Sequence, residues 1–156
     1  MATQWTANVT AGQVLTAAKL QEIGAVWETW TPALTASVTN PTLGTGSTAQ
    51  GRYGRVNKTV FGQLTIAFGT SGVNRGNGFY FVSLPVAAQS GSTVVGQGYA
   101  FDNSTSLVRH IVALTDNTTR VGLWIDNSTN FALASGNPWL WDASDVIRFQ
   151  FEYEAG

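Results

Sequence analysis

Thr59-Val-Phe-Gly-Gln-Leu-Thr-Ile-Ala-Phe68 and Asp145-Val-Ile-Arg-Phe-Gln-Phe-Glu-Tyr153 decide the fold class, because both alternate with a period of two. In the first, Val60, Gly62, Leu64, Ile66 and Phe68 fall on one side and Thr59, Phe61, Gln63, Thr65 and Ala67 on the other. In the second, Ile147, Phe149, Phe151 and Tyr153 oppose Val146, Arg148, Gln150 and Glu152. Both read as strands with one face in a core. Upstream, Gly51-Arg-Tyr-Gly-Arg-Val56 meets the first of them through Asn57-Lys58, which predicts a two-residue hairpin turn.

The same pattern extends outward. Residues 30–38 alternate, with Trp30, Pro32, Leu34, Ala36 and Val38 on one side, and predict one strand that begins at a sheet edge because Pro32 cannot donate to a ladder. Residues 40–46 predict a loop, as does the Gly-rich run 69–78, too polar and too flexible to bury its own backbone. Further strands are expected at 79–84, 93–101, 107–114, 120–125 and 131–134. Asp102, Asp116 and Asp126 are each followed by Asn and two Ser or Thr residues, which predicts three reverse turns.

Residues 12–28 are the one helical stretch. Thr16 suits an N-cap, Leu15 and Leu20 suit a hydrophobic staple, and Leu20, Ile23, Gly24 and Trp27 form an apolar stripe. Such a short helix needs a packing partner, because nucleation is costly. Eight to nine short strands after one small helix predict an all-β antiparallel β-sandwich, jelly-roll-like, with a short N-terminal α-helix. The expected organisation is a helical attachment segment at 1–29 and a β-sandwich domain at 30–156.

Composition agrees with that class and narrows the function. Gly, Ser, Thr and Asn make up 58 of the 156 residues and Lys only two, a poor recipe for helical surfaces. A formal net charge of −1 gathers neither phosphates nor anionic lipid, so no nucleic acid is expected as partner. With no cysteine, disulfides and thiolate metal sites are excluded. The chain shows no basic segment leading into an apolar core at Met1 and no 18-residue apolar run, so a product made in the cytosol without membrane insertion is expected. Five Asn-x-Ser/Thr matches carry no weight without an export signal.

Catalytic constellations are hard to assemble from what remains. His110 is the one imidazole, placed on a strand side with Val108, Val112 and Leu114, where a core or interface role fits better than that of a base. Asp102, Asp116, Asp126, Asp142 and Asp145 lie mostly in turns, with no spacing that sets two carboxylates across a cleft. No enzyme, metal or cofactor is expected. Trp139 and Trp141, at i and i+2 after Pro138, would face one side of an extended segment and are the candidate glycan contact, against a packing role in the core or at a subunit interface.

Four stretches carry a likeness to a known group: Thr10 to Gly24, Trp27-Glu-Thr-Trp-Thr-Pro-Ala-Leu-Thr-Ala36, Gly51 to Ile66, and Val82-Ser-Leu-Pro-Val-Ala87. Over residues 10–88 the chain resembles small virion proteins of tailed bacteriophages of actinobacteria, of the minor tail, tail-fibre or structural type. The resemblance implies a β-rich homotrimer located in the virion, attached to other virion proteins through its N-terminal segment, with Leu15, Leu20, Ile23 and Trp27 as the attachment residues. It leaves open a tail-associated module that touches host cell-surface glycan and a capsid decoration or head-fibre protein bound to the shell.

Overall fold

The computed structural model describes Val14, Thr16 and residues 26–91, 93–126 and 131–156. Among the described residues nine strands follow in chain order: β1 (Glu28–Trp30), β2 (Leu34–Ala36), β3 (Thr48–Val56), β4 (Thr59–Ala67), β5 (Tyr80–Ser83), β6 (Val94–Asp102), β7 (Leu107–Asn117), β8 (Arg120–Ile125) and β9 (Val146–Glu154). Every pairing is antiparallel, so the expected all-β antiparallel class is what the chain adopts. The strands form one continuous sheet, in the order β1-β3-β4-β9-β6-β7-β8-β5-β2, curled into a half-barrel where two stacked sheets had been expected.

The curl follows from the link between β1 and β2. These strands are neighbours in sequence yet hold opposite edges of the sheet. The steps from Trp30 to Leu34 span about 14 Å at most, so the two edges must approach each other there. Pro32, buried in this link, offers no N–H to a ladder, and the single strand expected over 30–38 is therefore two. The Asn57-Lys58 hairpin is as expected: Val56 pairs with Thr59, and Asn57 takes a φ of 54°.

The core lies inside the curl. Val60, Leu64, Ile66 and Phe68 from β4 and its end meet Ile147, Phe149, Phe151 and Tyr153 of β9, as the alternation predicts. Phe151 lies between Gly62 of β4 and Gly96 of β6 in register; a Cβ on Gly62 would collide with its ring, at 2.5 Å from Cζ, while one on Gly96 would run into Gln150 O. Ring over glycine across neighbouring strands lets the sheet bend tightly around large side chains. On β7 the buried set is Ile111, Ala113 and Thr115, not the side that carries His110. Of the two roles expected for His110, core or interface, the core role is excluded: the residue is exposed, because β7 turns its other side inward.

Buried aromatic residues tie the loops to this core. Tyr80 Oη donates to Arg75 O at 2.7 Å, Tyr153 Oη donates to Val86 O at 2.7 Å, and Trp141 Nε1 donates to Ala134 O at 2.9 Å. The Gly-rich run 69–78, expected to be a flexible loop, is instead zipped to residues 37–46. Bridges pair Thr39 with Asn77, Thr42 with Asn74 and Thr45 with Ser71. Residues 131–134 form isolated bridges beside β5 and β8 rather than a strand.

At the N-terminal side, Val26 and Trp27 are not helical and Glu28 opens β1, so the expected helix over 12–28 does not extend to its predicted end. Pairing of Glu28 with Tyr53 takes precedence over the helical pattern there. The β body begins by Glu28, ahead of the boundary expected after residue 29. Apart from Val14 and Thr16, the remainder of that prediction, with Leu15, Leu20 and Ile23, lies outside the described residues, as does most of the Asp126 turn. Among the described residues no helix is long and apolar enough to cross a membrane.

Candidate functional site

The tryptophans expected to touch glycan do not form an exposed pair. Trp141 is 2% exposed, stacks on Phe68 with centroids 5.4 Å apart and meets Tyr80 edge-on at 5.7 Å. Trp139 lies half-buried 5.4 Å from Trp141 and packs against the same core. Residues 131–137 fold back so that Ala134 O meets the Trp141 indole, which turns the pair inward. Trp27, assigned to attachment, sits on the solvent side of the sheet. Its ring meets Phe61 edge-on at 5.4 Å, and the Arg52 guanidinium lies over it at 4.9 Å.

That solvent side carries an ordered arrangement of its own. Strand register aligns Thr29 of β1 with Arg52 of β3, then Gln63 of β4, Gln150 of β9, Gln97 of β6, Val112 of β7 and Trp124 of β8. All seven side chains are exposed, Trp124 by 42%. Two residues along the strands a second row runs from Gln50 through Thr65, Arg148 and Tyr99 to His110. An open groove of about 1160 Å³ follows these rows, and a smaller one of about 390 Å³ adjoins it; Gln63, Gln97 and Gln150 line both.

The cations of the face are held in place. With its amide oxygen turned toward Arg52, Gln63 accepts from Nε at 2.8 Å and Nη2 at 2.9 Å. Arg148 Nη1 donates to Tyr99 Oη at 3.2 Å. Arg52, Arg148 and His110 all line the larger groove, which has no carboxylate in its lining among the described residues. Glu152 borders only the smaller one.

No family model, curated protein or solved structure matches this chain. The site must therefore be read from its own chemistry. Elsewhere the acidic side chains serve the fold. Asp102 Oδ1 accepts from Ser104 N and Oγ and from Thr105 N, and Oδ2 accepts from Thr105 Oγ1 at 2.6 Å; the hydroxyls of Thr105 and Ser104 hold its carboxyl below the usual range. Asp145, 1% exposed, accepts from Asn103 N and Asp142 N, and burial pushes its pKa up against those donors. At the β1 edge, Tyr53 Oη donates to Glu28 Oε2 at 2.6 Å, and this bond, with burial, pushes the phenol up to about 12.

The face therefore offers amides, guanidinium forks and flat rings, a set suited to binding. Of the members of its rows, the sequence alone singles out only His110. One signal was present: Val121, Leu123 and Ile125 form an apolar alternation in β8, which leaves Trp124 pointing outward. The Gln rows could not be found that way, since their members come from strands far apart in the chain.

Proposed function

We propose that this chain is a non-enzymatic structural protein of a tailed bacteriophage virion, a homotrimeric tail-associated or fibre module. On this reading residues 1–29, with Leu15, Leu20 and Ile23, attach it to the particle, and Trp27 joins that segment to the body. The curled sheet is the body of the module, and it carries the contact surface for the host.

The observation that carries the reading is the outer face: five adjacent strands present two registered rows of long polar side chains beside an exposed apolar stripe. That stripe is Val108, Val112 and Trp124, exposed by 52%, 38% and 42%. A broad face of this composition suits association with large partners better than turnover of a small one. The likeness of residues 10–88 to small phage virion proteins points the same way. Short terminal strands are also consistent with it: β1 and β2 have three residues each, which limits uncontrolled pairing at the sheet edges and leaves the faces for specific contact.

The test is mass spectrometry of gradient-purified particles of the phage that encodes the chain. Its peptides should persist in the particle fraction through repeated banding; their confinement to the soluble lysate would refute a virion role.

A further inference from the structure

Resting on the reading of this chain as a surface module, we propose that the outer face of β3, β4, β9, β6 and β7 is a binding site for an acidic polysaccharide, with Arg52 and Arg148 receiving its anionic groups and the glutamine row its hydroxyls. Trp139 and Trp141 take no part in this site.

Shape points to a polymer. Arg52, Gln63, Gln150 and Gln97 stand on four adjacent strands in direct register, a line of about 14 Å at the usual strand spacing. The line continues beyond Arg52 to Thr29 of β1. A small ligand would use only a fraction of it.

The side chains point to a saccharide. Each glutamine amide supplies both an acceptor and donors, which matches hydroxyl groups that must give and take hydrogen bonds. Tyr99 adds an exposed ring on which the apolar face of a sugar ring can lie. Tyr99 is neighboured in its row by Arg148 and His110.

Charge points to an acidic one. The chain has a formal net charge of −1, yet the larger groove gathers two arginines and the single histidine with no carboxylate among the described residues. Arg52 is immobilised by Gln63 and by the Trp27 ring, so it loses little freedom on meeting a ligand. Arg148 spends one of its five donors on Tyr99 and keeps the others for an anion. A guanidinium fork suits a carboxylate and a phosphate alike. Nucleic acid fits less well, because two neutralised phosphates give only weak binding at physiological salt.

Isothermal titration calorimetry on the full chain tests this, with oligogalacturonate as the carboxylate probe, poly(glycerol phosphate) as the phosphate probe, and neutral dextran and a single-stranded DNA oligonucleotide as comparisons. Binding to at least one acidic probe is expected, weakening with salt, with no binding to dextran; whichever probe binds names the source of the charge. Arg148→Gln and Arg52→Gln should each weaken it about tenfold, the loss expected of one charge-assisted contact. Arg109→Gln, on the opposite side of β7, should leave it unchanged. Arg148 is exposed, so its variant should keep the parental circular dichroism and melting curve and separate binding from folding.

Silence toward both acidic probes, equal binding of dextran or DNA, or affinity undiminished in both arginine variants would overturn the proposal. Binding by a chain that is absent from particles would uphold the site and refute the virion reading. A chain present in particles but indifferent to both probes would refute the site alone.

Discussion

Phe68 and Trp141 stack with their ring centroids 5.4 Å apart and their planes 27° from parallel. Seventy-odd residues separate them in the chain, and their contact fastens the segment between β8 and β9 onto the end of β4. This is the role the Trp139-Leu-Trp141 motif performs, and it makes Trp141 a structural residue with a measurable cost. Trp141→Ala should destabilise the protein by about 3–5 kcal/mol, as other buried aromatic truncations do. Trp141→Phe keeps a ring but leaves Ala134 O without its donor, and should cost less, about 1–3 kcal/mol. Denaturant unfolding checks both. A Trp141→Ala protein as stable as its parent would contradict the packing described.

The turn after β6 should govern part of the acid sensitivity. The Asp102 pKa is lowered in the folded state, so its contribution is fully present above the ordinary carboxylate value near pH 4 and is lost as pH falls through the lowered one. Asp145 has the opposite sign. Its raised pKa favours the folded state at low pH, and that benefit is lost as pH rises through the folded-state value. Asp102→Asn should therefore cost about 1–3 kcal/mol at neutral pH and flatten the acid limb of a stability-against-pH curve. An acid limb identical to the parent's would rule this out.

Two glycines with nearly the same backbone angle separate conformational strain from crowding in the zipped loops. Gly72 and Gly76 have φ of 68° and 67°, but a Cβ at Gly72 meets open space while one at Gly76 runs into Thr39 O. Gly72→Ala should cost about 1 kcal/mol from the left-handed backbone alone. Gly76→Ala should cost more and raise hydrogen exchange at Thr39 and Asn77, whose amides bond across the pair. Equal melting temperatures for the two variants would show that the 37–46 and 69–78 segments are not held as described.

Much of the fold is legible in the sequence because its decisive strands pair with near neighbours or alternate cleanly. The β3–β4 hairpin can be read from Asn57-Lys58, and the inward sides of β4 and β9 from their apolar residues. What escapes is long-range. Nothing in residues 30–38 reveals that Trp30 and Leu34 belong to opposite edges, since that depends on the curl of strands placed later in the chain. Pairing of Thr42 with Asn74 is likewise invisible, as both lie in runs rich in turn residues. On β7 the apolar pattern points the wrong way, because Val108, Val112 and Leu114 look more apolar than Ala113 and Thr115, which are buried with Ile111. For the site, Arg52, Gln63, Gln97 and Gln150 become neighbours only through strand register.

Association should follow from the apolar stripe on β7 and β8. Light scattering of the purified chain at micromolar concentration should give three times its 16.6 kDa mass. Trp124→Asp should shift the population toward monomer without loss of fold, because Trp124 is exposed and supports no core contact in the single chain. A purely monomeric parent would remove the trimer.

Removal of residues 1–25 leaves all nine strands in the sequence, so cooperative unfolding should survive it. The same deletion should abolish incorporation into particles, read by blotting of banded phage. Incorporation at the parental level would show that attachment lies elsewhere in the chain.

Immunogold labelling of intact particles, with antibody raised against the purified chain, bears most directly on the claim that this protein works as part of a virion. Gold at the tail is the predicted result, and gold on the head would move the same protein to the capsid shell. Particles that remain unlabelled, while the antibody recognises the folded chain in solution, would contradict the account.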